Sequence, residues 1–355
     1  MFVEFWQKIK SSPLSILIFS ILLLSLGLAS LYSIALVQQQ PPPNAFSKQL
    51  LFLIPAFLLM IIMTILSKRL IHKYIYLIYG IILIAVSLPF LGEQVSGAYR
   101  WINTGLKFTV QPSEIAKWVI VIALARYLSD HNLQMRNFAS MLVPLIIALI
   151  PTLIVINQPD LGTALVMMLP VITMLFWVGA RPYHLFLLIA PFLSILTAFN
   201  VTVFTSWAII LALIVYISKP QLWNGVTLYF GNIFLGLIFP FMWDLLRPHQ
   251  KSRLLTFINP DLDPLGAGYQ IIQSKTALGS GGFLGKGWGE GTQTHLKFLP
   301  VQESDFIVSV IGEEFGFITL LAMLSVFIWM IIKILKLAFS ASDRFSGLIL
   351  IGIST

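Results

Sequence analysis

The stretch from Asn259 to Gly282, NPDLDPLGAGYQIIQSKTALGSGG, gathers residue types that can do chemistry. Asp261 and Asp263 stand two apart, and a carboxylate in a polar segment can accept a proton from an attacking hydroxyl. It can equally start a turn, since Asp followed by Pro and glycines is turn chemistry. Residue types alone do not choose between the two acids. Gln273, Ser274 and Lys275 follow on a short helix expected over residues 268–278. Arg247, Lys251, Arg253, Lys275 and Lys286 supply the cations that an anionic group would need.

Further ionisable groups lie elsewhere. Glu114 and Lys117 in QPSEIAKW have the i,i+3 spacing that pairs side chains on one helix face. A lysine reaching for the interface is the plainer reading. Pro112 suits a first helical turn. Asp160 in NQPDLGTAL can cap the helix after it, or add charge to the same rim. Arg100 and Trp101 in GAYRW read as an interfacial anchor, or as a phosphate site using the planar guanidinium fork. Glu313 and Glu314 fall roughly 12–14 Å beyond Asp305 if that segment is a helix. Acids that deep must face protein or water, as an interhelical hydrogen bond or with one of them protonated.

The elements that position these residues are hydrocarbon-like. Of 355 residues, 58% are hydrophobic and 10% charged, and the mean hydropathy is +0.91. Soluble domains run near a quarter charged, so this is an integral membrane protein. The long apolar runs lack the period of two that a β-barrel needs. Helical spans are expected at 15–37, 47–66, 72–91, 113–128, 139–157, 161–179, 183–199, 201–218, 225–246 and 305–335. The fold class is thus an all-α polytopic bundle of about ten or more transmembrane helices, one membrane domain over 1–355. Another apolar run begins near Phe345 and is too short to span by Thr355, so an incomplete last span is expected over 345–355. The absence of cysteine excludes disulfides and thiol chemistry.

Lys8 and Lys10, Lys68 with Arg69 and Lys73, Arg126 and Arg136, Arg181, Lys219, and finally Lys333, Lys336 and Arg344 fall in loops of one parity. That parity is cytoplasmic, with the N-terminus inside, and the first run is a retained span. The net charge of +8 is therefore read as topology and not as nucleic-acid binding. The loops 92–112 and 247–304 face outward. The second, roughly sixty residues long, is too apolar for disorder and is expected to fold against the bundle as short interfacial helices joined by glycine turns.

Five ordered motifs, GAYRWI at 97–102, QPSEIAK at 111–117, QPDLGTA at 158–164, the run 259–293 and SDFIVSVIGEEFG at 304–316, resemble the SEDS family of shape, elongation, division and sporulation proteins. The resemblance is closest to the RodA type, and the C-terminal end of the family pattern is missing. Glu303 and Ser304 stand where the family commonly has His-Thr, and the spans 183–199 and 201–218 look like an added hairpin. The resemblance implies a peptidoglycan glycosyltransferase in the bacterial cytoplasmic membrane. Such enzymes polymerise lipid II beside a class B penicillin-binding protein transpeptidase and other elongation-complex membrane proteins. It selects Asp263 as the essential acid and leaves Asp261 in a variable position. It also maps a family acid and lysine onto Glu114 and Lys117 and a further acid onto Asp160, while residue chemistry adds expected substrate-binding roles at Arg100, Trp101, Arg253, Lys275, Gln273, Ser274 and Lys286. A divalent cation, Mg or Mn, held by Asp263 on the pyrophosphate is an alternative role for that acid. Two other functions fit the same residues: a lipid II flippase, against which stands the lack of a visible internal repeat, and a non-enzymatic scaffold.

Overall fold

The computed structural model describes residues 14–37, 39, 41–42, 44–92, 99–103, 109–130, 138–219, 222–244, 251, 259–266, 268–296 and 298–355. Its helices are α1 Leu14–Val37, α2 Ala45–Ile65, α3 Lys68–Ser87, α4 Pro112–Asp130, α5 Leu142–Asn157, α6 Leu161–Trp177, α7 Pro182–Thr197, α8 Val201–Ser218 and α9 Leu222–Asp244. α10 Tyr269–Ser280, α11 Thr292–His295, α12 Ile307–Phe339 and α13 Arg344–Ile353 follow. Every expected span is a helix, with ends within a few residues of those read from the apolar runs. Among the described residues five segments are long and apolar enough to cross a membrane: α1, α2, Lys68–Leu91, α8 and α12. Internal prolines at 55, 151, 170, 191 and 240 are carried within helices, as membrane helices tolerate. One addition to the all-α reading is a small antiparallel hairpin, β1 Ile102–Asn103 with β2 Thr109–Val110.

The chain divides into two compact units, Met1–Leu66 with Leu246–Lys333, and Ser67–Leu245 with Ile334–Thr355. In the second unit α4 is the core helix. Its small and branched residues Ala116, Ile120, Leu124 and Leu128 are buried among residues of α5, α6 and α13, and Ala123 is buried with Ile75 of α3. α13 packs closely because Gly352 lets it approach Val121, where a Cβ would meet a Val121 methyl at 2.4 Å. The α7–α8 hairpin is tied to α9 through a buried polar chain: Trp207 Nε1 donates to Ser194 Oγ at 2.8 Å, which donates to Asn232 Oδ1 at 3.1 Å.

In the first unit α2 has no buried residue, as expected of a helix solvated by lipid. α12 departs from the sequence reading, which made 305–335 one continuous span. The helix is broken at Gly316, where φ is 83° and ψ 177°, a conformation open essentially to glycine only. The break is filled from the preceding loop. In an unbroken helix the carbonyls of Glu313 and Glu314 would accept from the amides of Phe317 and Ile318. Instead those carbonyls accept from Lys286 N at 2.9 Å and Gly287 N at 3.1 Å, while Phe317 N and Ile318 N donate to the carbonyls of Gly282 at 2.9 Å and Phe283 at 3.2 Å. All four freed backbone groups are satisfied, as non-helical backbone in a membrane helix requires. Gly285 and Gly316 make this possible: a Cβ on the first would sit 2.1 Å from Glu314 O, and on the second 2.3 Å from Gly285 N. Part of the polar segment therefore enters a helix break, where short interfacial helices were expected throughout.

Candidate functional site

Asp263 ends a 3-10 turn over Pro260–Leu262. Its Oδ1 accepts the Gly266 amide at 3.0 Å, and its carbonyl accepts the Gly268 amide at 2.9 Å. The side chain is half-buried, whereas Asp261 is exposed. The two glycines have a steric purpose: a Cβ on Gly266 would lie 2.3 Å from the Asp263 carboxylate, and one on Gly268 would lie 2.1 Å from Pro260 O. Gly266 thus makes room for the Asp263 carboxylate, and Gly268 for the backbone of the turn that carries it. The turn feeds directly into α10. There Gln273 and Ser274 are half-buried and Lys275 is exposed, and Ser274 Oγ lies 2.6 Å from Ser309 Oγ of α12.

Downstream, the loop 281–295 closes over Glu313, whose side chain is fully buried. One carboxylate oxygen accepts from Lys286 Nζ at 2.8 Å, Gln293 N at 2.9 Å, Thr292 Oγ1 at 3.2 Å and Ser280 Oγ at 3.3 Å. The other accepts from Thr294 Oγ1 at 2.6 Å and Thr294 N at 3.1 Å. Lys286, a candidate substrate cation, is thus engaged by Glu313 and Thr292. Glu314 is buried beside it, accepting from Ser33 Oγ of α1 and lying 3.1 Å from His295 Nε2. Burial holds the His295 imidazole below its usual 6.5, with the Glu313 charge pulling the other way. Ser33, Thr292, Thr294 and His295 were not singled out from the sequence. Ser33 lies 281 positions from its partner, and no local pattern signals such a contact.

The second unit carries its own polar rim. Asp160 caps α6 through Thr163 N at 3.3 Å and Thr163 Oγ1 at 2.8 Å. It also accepts from Gln111 Nε2 at 3.0 Å and pairs with Arg100 Nε at 3.8 Å, while the Arg100 guanidinium donates to the Pro159 carbonyl. Capping, one of the two readings of Asp160, is present, and the charge beside it is that of Arg100. Glu114 and Lys117 form the anticipated pair at 2.8 Å, with α4 beginning at Pro112. Trp101 is exposed. Gln111, quoted within a motif but given no role, links this rim to Ser113 at 3.0 Å. Arg247 and Arg253 lie outside the described residues. Among the described residues no group of three or more His, Asp or Glu side chains is placed to hold a metal ion.

The chain matches the FtsW/RodA/SpoVE cell cycle protein family model over residues 13–207 and 194–355. Peptidoglycan glycosyltransferase MrdB of Escherichia coli (strain K12) is 31% identical over 348 residues, 96% of this chain and 79% of the relative. Stage V sporulation protein E of Bacillus subtilis (strain 168) is 32% identical over 97% of this chain and 84% of the relative. Among solved structures, a chain of a peptidoglycan synthase complex that coordinates polymerization and crosslinking superposes with a TM-score of 0.63 at 24% identity, covering 93% of this chain and 82% of that one. The rod shape determining protein RodA of Thermus thermophilus gives 0.59 at 20% identity, covering 97% and 81%. These structures share the polytopic fold. The residues 97–316 that carry the ordered motifs fall within the matched ranges, and the chain belongs to the FtsW/RodA/SpoVE family.

Proposed function

We propose that this chain is a peptidoglycan glycosyltransferase of the bacterial inner membrane that polymerises lipid II during cell elongation, with Asp263 as general base. The carrying observation is the match along 96% of the chain to a relative named for that activity, joined to the placement of Asp263 on a polar turn built around its carboxylate. In this reaction the 4-hydroxyl of one GlcNAc attacks the anomeric carbon of a second lipid-linked sugar. The new C–O bond forms as the bond to the undecaprenyl pyrophosphate breaks, and the hydroxyl proton passes to Asp263. Lys275, exposed on α10, and Arg253 offer charge to the leaving pyrophosphate, and Gln273 and Ser274 of α10 offer hydrogen bonds to the substrate. A divalent cation on that pyrophosphate would find one carboxylate ligand in Asp263. In the second unit we assign substrate contact to Arg100, Trp101, Glu114, Lys117 and Asp160. Lys286 acts through the loop it pins by way of Glu313.

The charge parity of the loops supports a cytoplasmic N-terminus and an outward 247–304 segment. The superposition on a synthase-complex chain supports a partner of the transpeptidase class. Polymer formation from lipid II by the purified protein with that partner is the test, comparing wild type with Asp263→Asn. Full activity in the variant ends the general-base assignment.

A second reading, lipid II translocation, is favoured by one observation, the broken helix α12 with two buried acids beside the break, since transporters use discontinuous helices. Movement of lipid II across sealed vesicles without polymer would reverse the order of the two readings.

A further inference from the structure

α1 and the part of α12 up to Lys333, both in the first unit, are tied at two heights. The Phe19 and Trp329 rings sit 4.6 Å apart, and Ser33 donates to Glu314. Between these ties the helices enclose a groove of about 340 Å³. Leu22, Leu26 and Ala29 line it from α1, and Phe315, Ala322 and Met323 from α12. The two hydroxyls in its wall, Ser25 and Thr319, donate to carbonyls of their own helices at 2.8 and 2.9 Å. The lining therefore selects for hydrocarbon. Both walls belong to helices long and apolar enough to cross a membrane.

One end of the groove is distinctive. Phe315 adjoins the break at Gly316, and the loop inserted there covers that end, with Trp288 Nε1 donating to the Ala29 carbonyl at 3.0 Å. The same segment carries α10 and the Asp263 turn. A bulk acyl chain can lie against any lipid-facing helix, and α2 offers a whole surface for it. This groove instead has two walls and ends beneath the polar segment that holds the proposed base.

We propose that the α1–α12 groove seats the polyprenyl chain of the lipid-linked sugar substrate, a reading that rests on the proposed polymerase activity. Its volume is roughly eleven times the ~30 Å³ share of one water, room for the head-proximal isoprene units and not the whole chain. The groove fixes where the headgroup emerges, and filling it weakens substrate binding.

The test uses the full chain in nanodiscs with a lipid II carrying a diazirine on the isoprene unit next to the pyrophosphate. Peptide mapping is expected to place the label on 22–29 and 315–326, and Ala322→Trp is expected to remove it and raise KM about tenfold. Ala29→Leu is a milder filler should the tryptophan block insertion. Label spread over α2 and other lipid-facing helices, or KM unchanged in a filled variant, overturns the proposal. So does a phospholipid diazirine probe that marks the groove and is not displaced by lipid II, or label that is lost only when a partner's transmembrane helix is co-purified. Groove label without polymer supports the groove and removes the polymerase reading, whereas polymer without groove label removes the groove alone.

Discussion

The first unit holds two carboxylate sites built on opposite principles. Glu313 is fully buried, and its two oxygens meet six donors from Ser280, Lys286, Thr292, Gln293 and Thr294. Asp263 is half-buried on a turn where the missing side chain of Gly266 leaves room for its carboxylate. A buried acid in hydrocarbon surroundings must be neutralised and saturated with donors, and one so saturated is poorly suited to exchange protons with a substrate. A carboxylate at the edge of a turn keeps that capacity. The contrast explains why two acidic motifs of similar conspicuousness in the sequence have different work: one clasps a loop into a broken helix, the other is offered as the base.

The comparison can be broken most decisively by separating activity from stability. Asp263→Asn is expected to lower polymerisation by about 10²–10⁴-fold, the usual worth of a general base, while the melting temperature in detergent shifts by the equivalent of about 1 kcal/mol or less. Glu313→Ala is expected to act in reverse, costing about 3–5 kcal/mol of stability because the Lys286 ammonium is left without its buried partner. A double variant, Glu313→Gln with Lys286→Met, should recover part of that loss in thermal unfolding. If Glu313→Ala unfolds no more easily than Asp263→Ala, the contrast between clasp and base collapses.

Gly316→Ala comes next. Its positive φ and the Cβ position 2.3 Å from Gly285 N predict a loss of about 3 kcal/mol, read as faster hydrogen exchange across 281–291 and 313–318.

A smaller effect is pH-dependent. His295 has its folded pKa held below 6.5 by burial, so the unfolded chain takes up the proton first as pH falls. The stability it contributes is full above about 6.5 and declines below it. His295→Gln should flatten that part of the pH–stability curve, and an unchanged slope would remove His295 as its source.

Smallest is Lys68→Ala. Asp343 caps α13 through Ser346 N at 2.7 Å and pairs with Lys68 at 2.7 Å. Burial opposes the charged form, but the Lys68 and Ser346 hydrogen bonds outweigh it and hold the carboxyl below 3.8. The pair is largely exposed, so about 1 kcal/mol or less is expected, lost as pH falls below 3.8 through the lowered value. A melting curve of the variant measured across that range reads it.

Much was legible in the sequence because the governing physics is local. Apolar run length alone placed the helices, Pro112 marked the start of α4, and i,i+3 spacing paired Glu114 with Lys117. Asp160 was readable as a cap because capping acts within three residues. The helix after the Asp263 turn was expected over 268–278 and occurs at Tyr269–Ser280. The family motifs singled out Asp263 from Asp261, a choice that residue chemistry left open.

Other features were decided only by the tertiary structure, because their partners are distant in sequence and compete with a local rule. Hydropathy continues α12 through Gly316, yet the inserted loop offers the same backbone groups an equally complete set of hydrogen bonds. The pair of half-buried Lys286 with buried Glu313 looks, in sequence, like an acid in a span and a cation in a loop. Ser33 is one serine of several in α1 until Glu314 is set against it. The sequence determined which segments are helices and which residues carry charge. Folding determined which charges are consumed by structure, since desolvating a carboxylate forces nearby donors to close around it.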